Sequence, residues 1–211
     1  MSSKFLVRYI KPVVFMAGLI PLVMLLWKGL VGNLGANPIE EITHWTGDWT
    51  LRLLLITLTM TPLRRLSGWT WPLRIRRMIG LFAFFYGTLH LVTYVWLDQY
   101  FWWEEIVRDV IERPYITVGF LGYLLLIPLA VTSTNKMMRR LGGDWKRLHR
   151  LAYLVPGLGV LHFFWLVKAD LQEPAIYAGI LTVLLGARAW WRISKFKSVD
   201  YKPVPQSANL E

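Results

Sequence analysis

His90 and His162 are the side chains of this sequence best placed to do chemistry, because each lies inside a run of apolar residues, Ile79–Leu97 and Leu151–Val167. An ionisable residue in a lipid-soluble span is costly and marks a functional site by default. Arg77 precedes His90, and Arg150 precedes His162, by nearly the same interval. At the helical rise, each imidazole then lies roughly 18–20 Å beyond an arginine-marked border. Two imidazoles at one depth on parallel helices supply both axial ligands of one haem iron. Zinc normally recruits further ligands, and neither span adds a Cys, Asp or Glu. The alternative is two buried histidines satisfied by hydroxyl or carbonyl partners.

His149 stands thirteen residues before His162, about 20 Å along an ideal helix, a spacing that suits two stacked haems. Thirteen steps of about 100° leave the two side chains some 140° apart on a straight helix, so distortion at Pro156-Gly157 would be needed to align them. The matching position before His90 is Arg77. A second haem would thus have an irregular ligand set; otherwise His149 holds a propionate, a flavin phosphate or a quinone oxygen, or is a border residue bonded to head groups. Arg74, Arg76, Arg77, Arg147 and Arg150 gather near it. Guanidinium groups pair bidentately with carboxylate and phosphate, which suits haem propionates or a flavin mononucleotide phosphate. Membrane topology and anionic lipid are the competing explanation for these arginines. His44 falls in an outer loop, where a capping or interface role is expected.

Composition sets the elements that must position these groups. The chain has 211 residues, 55% hydrophobic and 18% charged, with mean hydropathy +0.41. Soluble domains carry about 25% charge, so an integral membrane protein is expected. Six apolar segments near the length of a bilayer crossing are read at Tyr9–Trp27, Trp49–Leu66, Ile79–Leu97, Tyr115–Thr132, Leu151–Val167 and Pro174–Trp191. The second is the weakest because it contains Arg52, a residue able to snorkel to the near interface. Lys4, Arg8 and Lys11 before the first run resemble a signal peptide, but the run is long and no small-x-small site follows.

The net charge of +11 sits in short clusters between spans rather than on one soluble face, which argues for topology and against nucleic acid. Arg64 to Arg77, Lys136 to Arg150 and Arg188 to Lys197 alternate with loops holding Glu40, Glu41 and Asp48, then Asp98 to Glu112, then Asp170 and Glu173. The positive-inside rule places the basic loops and both termini in the cytoplasm. The fold class expected is an all-α, six-transmembrane-helix bundle over residues 1–197, with a polar, disordered tail over 198–211. No repeat-array period is evident. With no cysteine, disulfides, thiolate clusters and covalently attached haem are excluded. No nucleotide-binding glycine motif, zinc-protease helix or hydrolase elbow occurs, so electrons from a pyridine nucleotide would arrive through another protein.

Several motifs together carry a family likeness: Leu34-Gly35-Ala36-Asn37-Pro38 with His44-Trp45-Thr46-Gly47; Thr61-Pro62-Leu63-Arg64; Arg76-Arg77-Met78-Ile79-Gly80-Leu81 leading to His90; Arg113-Pro114-Tyr115; Thr132-Ser133; and Leu141-Gly142 with Trp145-Lys146-Arg147-Leu148-His149, then His162. Over nearly its whole length the chain resembles the haem-binding membrane subunits of the periplasmic methionine sulfoxide reductase system, the MsrQ or YedZ type, within the ferric-reductase-like transmembrane superfamily. Asn37-Pro38 stands where that family more often has Asp-Pro.

The resemblance implies a b-type cytochrome of the bacterial inner membrane with one or two haems, and with flavin mononucleotide as a further cofactor. Electrons would come from the quinone pool or a cytoplasmic flavin reductase and pass to a periplasmic molybdopterin-containing catalytic subunit that repairs oxidised methionine. His90, His149 and His162 match the family's haem-associated histidines. A stand-alone metalloreductase or b561-like quinol oxidoreductase, and a haem-free transporter whose histidines move protons, are the alternatives.

Overall fold

The computed structural model describes residues 5–167 and 170–200, and among these every regular element is helical. Six helices of sixteen or more residues form the body: α1 (Lys11–Leu30), α2 (Pro38–Ser67), α3 (Trp71–Val92), α5 (Pro114–Val131), α8 (Leu151–Leu166) and α9 (Gln172–Asp200). Three short ones join them: α4 (Trp103–Glu112), α6 (Asn135–Leu141) and α7 (Gly143–Leu148). A π-helical turn, Leu6–Ile10, leads into α1, and another, Thr93–Asp98, prolongs α3. Arg8–Leu30, Trp71–Asp98 and Pro114–Val131 are long and apolar enough to cross a membrane.

The segment expected at Trp49–Leu66 begins much earlier. Asn37 caps α2 by accepting a hydrogen bond from the Glu40 backbone N–H at 3.3 Å, with Pro38 in the first turn and Glu40 and Glu41 beside it. This is a strong N-terminal signal, since proline is pre-organised there and acidic groups complement the helix dipole. His44 is consequently helical, not in a loop. Gly68, at φ 72°, closes α2 in the left-handed conformation that glycine adopts most readily. Arg74, Arg76 and Arg77 likewise lie on the first turns of α3. At the far end, α9 runs three residues past the expected start of the polar tail, to Asp200, and 201–211 lie outside the described residues.

Helices α2, α3, α5 and α8 form a closed ring in which α2 packs on α3, α3 on α5, α5 on α8 and α8 on α2. This places α3 and α8 on opposite corners. Helix α1 packs outside α3, and α9 packs on α2 and α8. Tyr86 locks α1 in place from a fully buried position: its hydroxyl donates to Gly18 O at 2.8 Å and accepts from Leu22 N at 3.1 Å. Lys28 pairs with Glu41 at 2.6 Å to tie α1 to α2. Arg52 bonds Asp48 at 3.0 Å and donates to the Tyr177 hydroxyl at 2.8 Å, joining α2 to α9.

Candidate functional site

His90 on α3 and His162 on α8 project from opposite corners into the ring, with ring centres 6.1 Å apart and planes at 83°. Each is held the same way. His90 Nδ1 lies 2.9 Å from the Thr43 carbonyl on α2, and His162 Nδ1 lies 2.7 Å from the Tyr115 carbonyl on α5. A carbonyl only accepts, so each Nδ1 carries the proton and each Nε2 keeps its lone pair. One turn beyond each acceptor is a glycine under the imidazole. A Cβ at Gly47 would come within 3.1 Å of His90 Cε1 and Nδ1, and one at Gly119 within 2.7 Å of His162 Nδ1.

The two halves of the site are copies of one design. Each acceptor stands 47 residues before its histidine. One constant offset carries Thr43 onto Tyr115, Gly47 onto Gly119, Gly87 onto Gly159 and His90 onto His162. The α2–α3 and α5–α8 pairs therefore present their acceptor carbonyl, glycine and histidine at matching positions, a correspondence that no short repeat period reveals. The same offset carries Arg77 onto His149, so the symmetry of the histidine pair is broken one level down.

That lower level is a cavity of about 490 Å³ at the basic end of the ring. Its apolar wall includes Leu54, Leu58, Phe84, Leu126 and Leu129, while Arg76, Arg77, Lys146, Arg150, Arg188 and Arg192 bring six cations and, among the described residues, no carboxylate. Four of the expected basic-end residues meet here: Arg76, Arg77, His149 and Arg150. Arg74 and Arg147 do not line it. Arg74 is exposed, and Arg147 turns outward to pair with Asp144 at 3.2 Å. The arginines of α9 join unforeseen. Arg188 lies 5.4 Å from the Tyr153 ring centre and bonds the Leu58 carbonyl, yet its Nε is buried without a partner among the described residues.

His149 is not on α8. It closes α7, and α8 starts only at Leu151, so the rise and rotation computed along one helix do not apply. Trp145 stacks on the imidazole at 3.9 Å. Thr132 Oγ1 gives its single hydrogen to Pro128 O at 2.6 Å and therefore accepts from His149 Nε2–H at 3.0 Å. Nε2 is thus engaged here, unlike in the paired histidines. Burial, and then the charges of Arg76 and Arg77, hold the His149 pKa below its ordinary value and favour the neutral ring.

Among the described residues no group of three His, Cys, Asp or Glu gathers as a metal site. The donor set at the ring centre is therefore two imidazoles. With ring centres 6.1 Å apart and each Nδ1 committed to a carbonyl, His90 and His162 would be the two residues to hold a haem iron between them. The glycines leave the imidazoles room, and the fixed Nδ1 contacts are the outer-shell partners that orient ligating histidines. The residues fit a haem that would be held by two histidines.

The pattern that defines the family described as ferric reductase like transmembrane component matches residues 46–160, a stretch holding Gly47, His90, Gly119 and His149. Proteins named protein-methionine-sulfoxide reductase heme-binding subunit MsrQ are similar over nearly full length. That of Herminiimonas arsenicoxydans is 52% identical over 189 residues, covering 88% of this chain and 87% of the relative. That of Xanthomonas campestris pv. campestris strain 8004 is 50% identical over 204 residues, 94% of each chain, and that of Xanthomonas axonopodis pv. citri strain 306 has the same identity and coverage. The chain belongs to the ferric-reductase-like transmembrane family and, within it, to the MsrQ type. It is a multi-pass membrane protein.

Proposed function

We propose that the chain is a b-type cytochrome subunit of the bacterial inner membrane. It relays electrons to a periplasmic molybdopterin-containing subunit that reduces methionine sulfoxide in oxidised envelope proteins. The observation that carries this reading is the histidine pair: two opposed imidazoles, each with Nδ1 fixed on a neighbouring helix and Nε2 free. His90 and His162 would hold the haem, which supplies a one-electron iron centre when bound. The names of the relatives, heme-binding subunits of a methionine sulfoxide reductase, support both the cofactor and the partner. Six crossings with both termini cytoplasmic follow from the alternation of basic and acidic loops.

The basic cavity is the donor side of the relay. Its apolar wall suits a flat ring, and its cations suit an anionic tail or a reduced quinone oxygen, so a flavin mononucleotide or a quinone from the membrane pool fits there. His149, neutral and donating its Nε2–H to Thr132, would accept a hydrogen bond from such a ring at Nδ1, while Arg188 offers its unpartnered Nε. A second haem held through His149 Nε2 would require that nitrogen to leave Thr132.

An absorption spectrum of the detergent-purified protein tests the reading. It should show low-spin b-type haem that the purified periplasmic partner reoxidises. Spectra without haem would leave the transporter alternative, and reoxidation by small acceptors but not by the partner would favour a stand-alone reductase. Titration with flavin mononucleotide and with riboflavin, in wild type and R188Q, tests the cavity.

A further inference from the structure

Helix α4 takes no part in the histidine pair or the basic cavity, yet its ten residues are sharply segregated. At 100° per residue, Ile106, Val110, Trp103, Val107 and Ile111 fall in one arc and Glu104, Arg108, Glu112, Glu105 and Asp109 in the other. The protein covers only one edge of the apolar arc. Asp109 is buried and Ile106 and Val110 are half-buried, whereas Trp103, Val107 and Ile111 are 64%, 57% and 75% exposed. These three lie at i, i+4 and i+8, in one line along the helix.

The turn before α4 is built to aim it. Tyr100 and Phe101 both have positive φ, 46° and 60°, a conformation that side-chain-bearing residues rarely adopt. Asp109 then latches the helix to both neighbours, accepting from the Tyr94 hydroxyl at 3.0 Å and Gln99 Nε2 at 3.3 Å and pairing with Arg113 at 3.1 Å. With α3 prolonged to Asp98 and α5 starting at Pro114, α4 occupies the level at which both chains leave the apolar layer. Tyr100, Phe101 and Trp102 are exposed there too, the aromatic composition of a membrane–water boundary.

We propose that α4 lies flat in the bilayer boundary at the acidic end, with Trp103, Val107 and Ile111 in lipid and Glu104, Arg108 and Glu112 in water. Lipid is the occupant because α4 packs on α5 and is latched to Tyr94 of the prolonged α3, the two helices that flank it and are long and apolar enough to span a bilayer; the proposal rests on α3 and α5 crossing the membrane. The seat bears on the site. Thr117 Oγ1 on α5 bonds the Val110 carbonyl of α4, within one turn of the Tyr115 carbonyl that holds His162. Lipid contact at α4 therefore helps fix the ring that faces His90.

The absence of cysteine makes the test direct. Single cysteines V107C, I111C, E104C and E112C, with L121C on α5 as reference, are spin-labelled in the full chain and reconstituted into phosphatidylethanolamine/phosphatidylglycerol vesicles. Collision with oxygen is compared with collision with a water-soluble nickel chelate. Positions 107 and 111 should match 121, with oxygen collisions several-fold above nickel, and 104 and 112 should show the reverse. If 107 and 111 read as aqueous as 104 and 112 while 121 reads lipid, the proposal is overturned. Their protection on adding the soluble partner would then assign the face to protein docking. An aqueous reading at 121 would overturn the α5 span itself.

Discussion

Adding one methyl group at Gly119 should weaken haem binding while leaving the helix intact. A Cβ there meets His162 Nδ1 at 2.7 Å, a distance that real contacts do not sustain, and Cε1 at a tight 3.0 Å, so the ring must move off the Tyr115 carbonyl. Losing that hydrogen bond costs about 1 kcal/mol and overpacking adds about 1–3 kcal/mol, together about 2–4 kcal/mol. At about 1.4 kcal/mol per tenfold, haem affinity should fall roughly 30- to 700-fold. Gly47→Ala is the graded control. Its nearest contacts are 3.1 Å, a few tenths of an ångström too close, so a cost below about 1 kcal/mol and a loss under roughly five-fold are expected. Alanine favours a helix interior over glycine by about 1 kcal/mol, so neither apoprotein should melt lower than wild type on helix propensity. Haem titration followed by visible absorption, with the low-spin signal read by electron paramagnetic resonance, measures both. Wild-type affinity in Gly119→Ala, or a larger loss in Gly47→Ala, would refute the packing argument.

Other outcomes follow from the same geometry. Arg76→Gln removes the largest charge acting on His149, so the His149 pKa should rise toward its ordinary value while burial keeps it below; histidine-selective NMR would show this, and a fall would contradict it. Because folding lowers that pKa, the neutral ring stabilises the fold above about pH 6.5, and this contribution should fade as pH falls through the folded value, measurable as a drop in melting temperature absent in His149→Gln. Tyr86→Phe should cost about 1–3 kcal/mol by stripping the buried tie between α1 and α3 and leave the haem spectrum unchanged. Neutralising Glu104 and Glu105 should flatten the salt dependence of transfer to the partner. Asp109→Asn should instead lower stability, since Asp109 is a buried latch and not part of an open acidic surface.

The depth-matched histidines were legible because a charged-capable ring in an apolar run is anomalous and its distance from an arginine border is a simple rise. Gly47 and Gly119 were not, since a glycine in an apolar helix carries no sign of which ring it clears. The constant offset relating Thr43, Gly47 and His90 to Tyr115, Gly119 and His162 would have exposed them, but it spans whole hairpins. Helix starts shifted where caps won over hydropathy, as at Asn37-Pro38. His149 was misplaced because its two-residue break from α8 lacks a glycine or proline to announce it. Arg188 and Arg192 read as topology charges, and only packing of α9 on the ring brings them into the cavity.

The most direct test of the central claim is the haem content and low-spin signal of His90→Ala and His162→Ala beside wild type, each purified in mild detergent. One iron held between two imidazoles predicts that wild type shows a bis-histidine low-spin haem and that either replacement abolishes or converts that same signal. Unaltered haem content and spectra in both variants would contradict it.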